Sequence, residues 1–186
     1  MPRFILPLLL AVIGLILFGQ GAYIHAKALV AQVLLERAFE KAIATGHETK
    51  PWSWADTWPV ARIEVKRLHA SAIALAGSSG QALAFGPGHV ERTPEAGERG
   101  VAVYSAHRDT HFAFLRSLRA DDEIDVETSR GAARYRVREV SIVDKSETRV
   151  LDAADAAQLT LITCYPFNAV MPGTALRYVV VADLVT

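Results

Sequence analysis

Cysteine is almost missing from this chain: Cys164 is the only one in 186 residues. A single cysteine excludes any disulfide within the chain, so its thiol is either a small buried hydrophobe or a chemical reagent. Net charge is missing too, because 20 Lys and Arg balance 20 Asp and Glu. That balance gives no electrostatic preference for nucleic acid, and partners have to be sought by motif. No segment recurs at a useful period, which excludes a solenoid or repeat array. With 51% hydrophobic residues, the chain is long enough for one domain with a genuine core.

Long apolar runs are absent with one exception. Phe4 to Ile24 holds 21 residues without a formal charge, and at about 1.5 Å per residue this crosses a hydrocarbon core of roughly 30 Å. Ala26-Lys27-Ala28 imitates a signal-peptidase site, but the run exceeds the usual signal core of about 7 to 15 residues. A retained anchor over residues 1–25 is therefore expected. Arg3 precedes the span, whereas Lys27, Arg37 and Lys41 follow it, so a strict positive-inside count points against export. A short amino-terminal tail led by a positive charge is nevertheless the usual signal-anchor arrangement. The body is expected on the extracytoplasmic side of the inner (cytoplasmic) membrane.

Leu29, Val33, Phe39 and Ile43 continue at near-helical spacing, so residues 26–46 read as an amphipathic stalk. Pro51 and Pro59 then break the pattern, and Trp52, Trp54 and Trp58 crowd into the same stretch. Residues 47–59 are the expected linker, whose tryptophans would pin it to the domain, line a groove or sit at a membrane interface.

From Val60 the texture changes to short apolar runs punctuated by Gly, Pro, Ser and charge, which is a β pattern. RIEVKRL, SAIALA, QALAF, VAVYSAH, LTLIT and LRYVVVADL are among about eight expected strands, with one short helix around His111 to Leu118. In ARYRVREVSIV, Tyr135 and Val137 share one parity while Val140 and Ile142 share the other. A bulge near Arg138 or Glu139 would return both pairs to the core and help a sheet to curve. Residues 60–186 are thus an all-β domain, barrel or sandwich, and closure into a barrel would leave fewer exposed edges.

Three residues stand where strands end. Cys164 closes the run Leu159 to Ile162 and precedes Tyr165-Pro166, His107 follows VAVYSA, and Arg177 opens an otherwise apolar strand. A nucleophilic thiol needs a proton-transfer partner and a group to hold the oxyanion formed at an attacked carbonyl. Taken singly, each has a structural alternative: a buried small hydrophobe, a turn residue and a solvated strand-end charge.

Taken together, TLITC, Arg177 in LRYVV thirteen residues after the cysteine, and SAHRDTHF upstream resemble the sortases, membrane-anchored cysteine transpeptidases. The resemblance spans roughly Val60 to Thr186, and PWSWADTWPVAR is similar to the segment before the barrel in proteobacterial members. It implies a closed eight-stranded β-barrel with one or two short helices. It also implies Cys164 as nucleophile, His107 as general acid/base and Arg177 as the oxyanion or substrate-orienting residue, with Thr163, Asp109 and Tyr165 as supporting neighbours. The implied reaction cleaves an LPxTG-like C-terminal sorting motif through a Cys thioester and passes the acyl group to an amine, such as a pilin lysine or cell-wall amine, or to water. The implied partners are an exported protein and that acceptor, with no cofactor, no metal and no nucleic acid.

One departure lies at the turn after the short helix, where the family often carries Gly-Asp and this chain reads Ala120-Asp121-Asp122-Glu123. Glu91, Glu95, Glu98, Asp121 and Asp122 could be imagined as a calcium site, although a solvated acidic loop is the simpler expectation. A rival enzyme reading joins His107 and His111 to Cys164 with His69 or His89 around a metal, but no Glu lies between the histidine pair as in HExxH. A non-enzymatic rival is a tethered β domain that binds peptide without turnover.

Overall fold

A computed structural model describes residues 4–147, 156–171 and 173–185. Arg3, whose charge entered the orientation argument, lies outside them. The chain begins with one helix, α1 (Ile5–Thr45), that runs unbroken through both the apolar span and the expected stalk. Gly46 ends it in the left-handed region at φ 69°, its N–H returning to Ala42 O, which glycine does without a Cβ penalty.

The stalk is more than a spacer. Leu35 and Phe39 are completely buried and form a small second core with Ile73, Leu75 and Ala82 on the outside of the sheet. Arg62 lies over the Phe39 ring at 4.9 Å and pairs with Glu36 and Glu127. The helix that leaves the apolar span is thus bolted to the domain.

Eight strands follow: β1 (Pro59–Val65), β2 (Ala70–Ala76), β3 (Gly88–His89), β4 (Gly100–Ser105), β5 (Glu123–Thr128), β6 (Gly131–Asp144), β7 (Ala157–Tyr165) and β8 (Leu176–Leu184). They close into a barrel in the order β1-β2-β3-β4-β7-β8-β6-β5. The β2/β3 and β4/β7 pairs are parallel and the others antiparallel. Ile63, Val65, Tyr104, Ile124, Val126, Tyr135, Leu159, Leu161 and Val180 fill the interior by alternation along their strands. Leu115, from the 3-10 turn at Ala113–Ser117, and Phe112 just before that turn join the same core.

Two expectations are corrected. QALAF is not a strand: it forms helix α2 (Gly80–Phe85), capped where the Ser79 hydroxyl accepts from Ala82 N. Ala, Leu and Gln favour helix over strand, and a serine N-cap outweighs a weak apolar alternation. The strand duty falls to the two residues of β3, where Gly88 lies so close to the Gly77 carbonyl that any Cβ would collide with it. The expected bulge in β6 is present, with the register against β8 slipping between Val137 and Glu139. It returns Val140 to the core, but Ile142 is 48% exposed. The reason is reach: β5 pairs only with Gly131 to Arg136, so beyond that β6 is an overhang supported by β8 alone.

The departing turn is also resolved. Asp121 takes the left-handed conformation at φ 69°, where Asp is among the few non-glycine residues tolerated. Asp122 accepts from Arg67 Nε and Nη2 at 2.5 and 2.6 Å and from Arg119 N at 2.8 Å.

Candidate active site

The site is assembled by the order of three strands. β7 lies between β4 and β8 in the barrel wall. Antiparallel register sets Cys164 directly opposite Arg177, a placement in which Cβ atoms are about 4.5 to 5.5 Å apart. On the other side, β4 runs parallel to β7, with Ser105 beside Ile162, and the pairing continues one residue further as Ala106 N donates to Ile162 O at 3.2 Å. His107 follows at once, leaving the wall at the level where β7 reaches Cys164.

Facing follows from alternation. Leu159 and Leu161 point into the barrel, so Cys164, of opposite parity, lies on the outer wall. Val180 and Ala182 point inward, so Arg177 shares that outer wall with Cys164. The thiol is half-buried and free, and His107 is exposed. The His107 carbonyl accepts from Phe112 N at 3.1 Å and Thr110 N at 3.4 Å, so its backbone makes the turn while its ring faces solvent. Arg177 leans over the loop before it, Nη1 donating to the carbonyls of Thr174 at 2.7 Å and Leu176 at 3.0 Å.

Thr163 couples the strand that carries Cys164 to the segment that carries His107. Buried at 2% exposure, its hydroxyl donates to the carbonyl of Ala106 at 2.7 Å, the residue before His107. Tyr165 instead stacks on Tyr178 and meets the edge of Phe167, closing the barrel end next to the thiol. Asp109 is mostly exposed, its carboxylate 3.4 Å from Arg108 Nε.

Sequence reasoning missed Arg108. It is 6% exposed, and its guanidinium donates to the carbonyls of Ala169 at 2.8 Å and Met171 at 3.2 Å and to Thr174 Oγ1 at 3.4 Å. One buried cation thus ties the histidine loop to the loop joining Cys164 to Arg177. A charged residue next to a candidate histidine reads as solvated in sequence, and only burial reveals it as a fastener. His111, next in the same loop, is partly buried. Burial holds its imidazole below the usual range, and the nearby charge of His107 pushes the same way, partly opposed by the Ala84 carbonyl.

The rival metal site is not assembled. His107 leaves a strand, so its four-residue spacing from His111 does not fall on a helical face. His69 caps the turn between β1 and β2, and His89 bonds to Thr93 and Pro94 and lies against Tyr104. Among the described residues, no three His, Cys, Asp or Glu are grouped to hold a metal ion. The acidic residues are paired with cations in different places, Glu95 and Glu98 sharing Arg130 and Asp122 held by Arg67.

Cavities of about 480 Å³ beside Arg62, Lys66 and Arg134 and of about 930 Å³ beside Trp52 and Phe85 both lie away from Cys164. The thiol lies on the outer face of the barrel wall, half-buried among the described residues.

Comparison with known proteins agrees with this arrangement. The sortase domain model matches residues 63–185. Sortase D of Bacillus subtilis (strain 168) is 28% identical over 197 aligned positions, covering 98% of each chain. Among solved structures, a Clostridium perfringens sortase D5 transpeptidase superposes with a TM-score of 0.68 at 23% identity, over 84% of this chain and 99% of that one. Sortase C-1 from Actinomyces oris superposes with a TM-score of 0.62 at 27% identity, over 69% of this chain and 75% of that one.

Proposed function

Because the chain belongs to the sortase family of cysteine transpeptidases, we propose that Cys164 is its nucleophile, His107 its general acid/base and Arg177 its oxyanion partner. The observation that carries this reading is the register: Arg177 stands opposite Cys164 on one side of β7, and His107 leaves β4 at the same level on the other.

The steps balance on these three groups. Proton transfer to His107 leaves the Cys164 thiolate, the reactive form of a cysteine. Its sulfur attacks the carbonyl carbon of the scissile peptide bond, and the electron pair moves to oxygen, where the Arg177 guanidinium offsets the new charge. Collapse breaks the C–N bond, His107 protonates the departing amine, and a Cys164 thioester remains. An incoming amine loses a proton to His107, attacks the thioester and releases the thiolate. Water in place of the amine makes the same sequence a hydrolysis. The donor is an exported protein with an LPxTG-like C-terminal sorting motif, and the acceptor is a pilin lysine, a cell-wall amine or another amine.

A single apolar amino-terminal helix fits a membrane anchor. The proposed placement is the cytoplasmic membrane, with the barrel on the extracytoplasmic side where exported donors arrive.

Intact-mass measurement tests the chemistry. The full chain in detergent is mixed with a panel of LPxTG-like peptides, with Cys164→Ala as control. An adduct of the N-terminal peptide fragment, absent in the variant and discharged by added amine, is expected. Binding of a donor without adduct or cleavage, while the thiol still alkylates, would replace the enzyme reading with a binding module.

A further inference from the structure

We propose that the groove between α1 and the tryptophan-bearing linker is a lipid-contact surface, in which phospholipid headgroups and upper acyl chains seat the catalytic domain on the bilayer. The inference rests on reading the start of α1 as a membrane span.

The groove encloses about 930 Å³ and is lined by Tyr23, Val30 and Leu34 from the helix, by Trp52 and Trp54 from the linker and by Phe85 from α2. Tyr23, Lys27, Val30 and Leu34 recur at helical spacing, so they form one stripe. That stripe starts where the apolar run ends, at Ile24. Because α1 is unbroken, height can be counted along it: Tyr23 to Val30 rises about 10 Å at 1.5 Å per residue. The headgroup layer outside the hydrocarbon core is roughly 5 to 8 Å deep on each side, so the lower part of the groove lies within it.

The linker tryptophans divide their roles. Trp52 meets the edge of Phe85 at 5.1 Å and 67°, which pins the linker to the domain as the sequence reading expected. Trp54 is 79% exposed, an indole turned outward beside the end of a span. Leu29, Val30 and Val33 are also exposed above the span. Trp and Tyr concentrate at bilayer interfaces, where an apolar ring with a polar edge suits the boundary. Lys27 lies over the Tyr23 ring at 5.4 Å, with a stem long enough to carry its ammonium into the headgroups.

The domain is held close to the helix. Burial of Leu35 and Phe39 against Ile73 and Leu75 locks the helix to the barrel. The charged lining residues, Lys27 against Asp56 and Glu91, carry no positive excess. The occupant is therefore zwitterionic phospholipid held by apolar and aromatic contact, and salt should not displace it.

The test uses the full chain with Trp52→Phe and Trp58→Phe, leaving Trp54 as the only indole, in phosphatidylcholine vesicles with shallow- or deep-brominated acyl chains. Blue-shifted emission is expected, quenched several-fold more by shallow bromine than by deep, shielded from iodide and unchanged in high salt. Should the double variant fail to fold, subtracting Trp54→Ser spectra from those of the unaltered chain isolates the same indole. Trp54 open to iodide and blind to brominated lipid, in a chain that resists carbonate extraction, overturns the inference and leaves the anchor standing. Release by carbonate overturns the span reading, and the inference with it.

Discussion

The hydroxyl of Thr163 offers a sharp test of how the site is held. Thr163→Val keeps the branched shape and β preference but removes the donor to Ala106 O, which is 2.7 Å away and buried. A net hydrogen bond contributes about 1 kcal/mol, and leaving a buried carbonyl bare costs about 1 to 3 kcal/mol. At about 2 to 4 °C per kcal/mol for a domain of this size, the melting temperature should fall by roughly 2 to 12 °C. The larger effect belongs to catalysis. Ala106 is then held to β7 only by its own N–H on Ile162 O, and a misplacement of about 1 Å in a reacting group can cost on the order of 100-fold. Single-turnover acylation by a donor peptide should slow by roughly 10- to 100-fold. Alkylation of Cys164 by a small neutral reagent, which also uses the thiolate but needs no positioned oxyanion or protonated leaving amine, should slow far less than acylation. Thr163→Ser, which keeps the donor, should recover most of the acylation rate. A valine variant acylating at the unaltered rate, or a serine variant as slow as valine, would refute the coupling.

Arg108→Ala should loosen the loop between Tyr165 and Leu176. It strips charge-assisted bonds to Ala169 O and Met171 O, each of about 1.5 to 3 kcal/mol, and limited proteolysis should now cut that loop. Phe39→Ala should cost about 3 to 5 kcal/mol, because the ring is 1% exposed under Arg62. An unchanged melting temperature would mean that the helix is only a spacer. The folded pKa of His111 is lowered, chiefly by burial, so the unfolded chain takes up its proton first. Stability from this residue is full above the unfolded value of about 6.5 and is lost as pH falls through the folded value. Melting temperature should therefore drop more steeply from pH 7 toward 5 in the unaltered chain than in His111→Gln, and parallel curves would remove His111 as the cause.

The sequence alone determined what depends on local order. Charge-free length marks the long apolar run, parity along ARYRVREVSIV marks the bulge near Arg138 or Glu139, and strand ends mark Cys164, His107 and Arg177, because each of these is a property of neighbouring residues. QALAF reads as a strand for the converse reason: its five residues are too few for periodicity to separate helix from strand, and the capping hydroxyl of Ser79 decides. Only the tertiary structure decided which strands adjoin. Non-local pairing inserts β7 between β4 and β8, bringing Ala106 to Thr163 across 57 positions. The same long-range packing buries Arg108 as a clamp and turns a stalk into part of the core. Burial is set by whatever comes to lie on top of a residue, and no spacing along the chain encodes that.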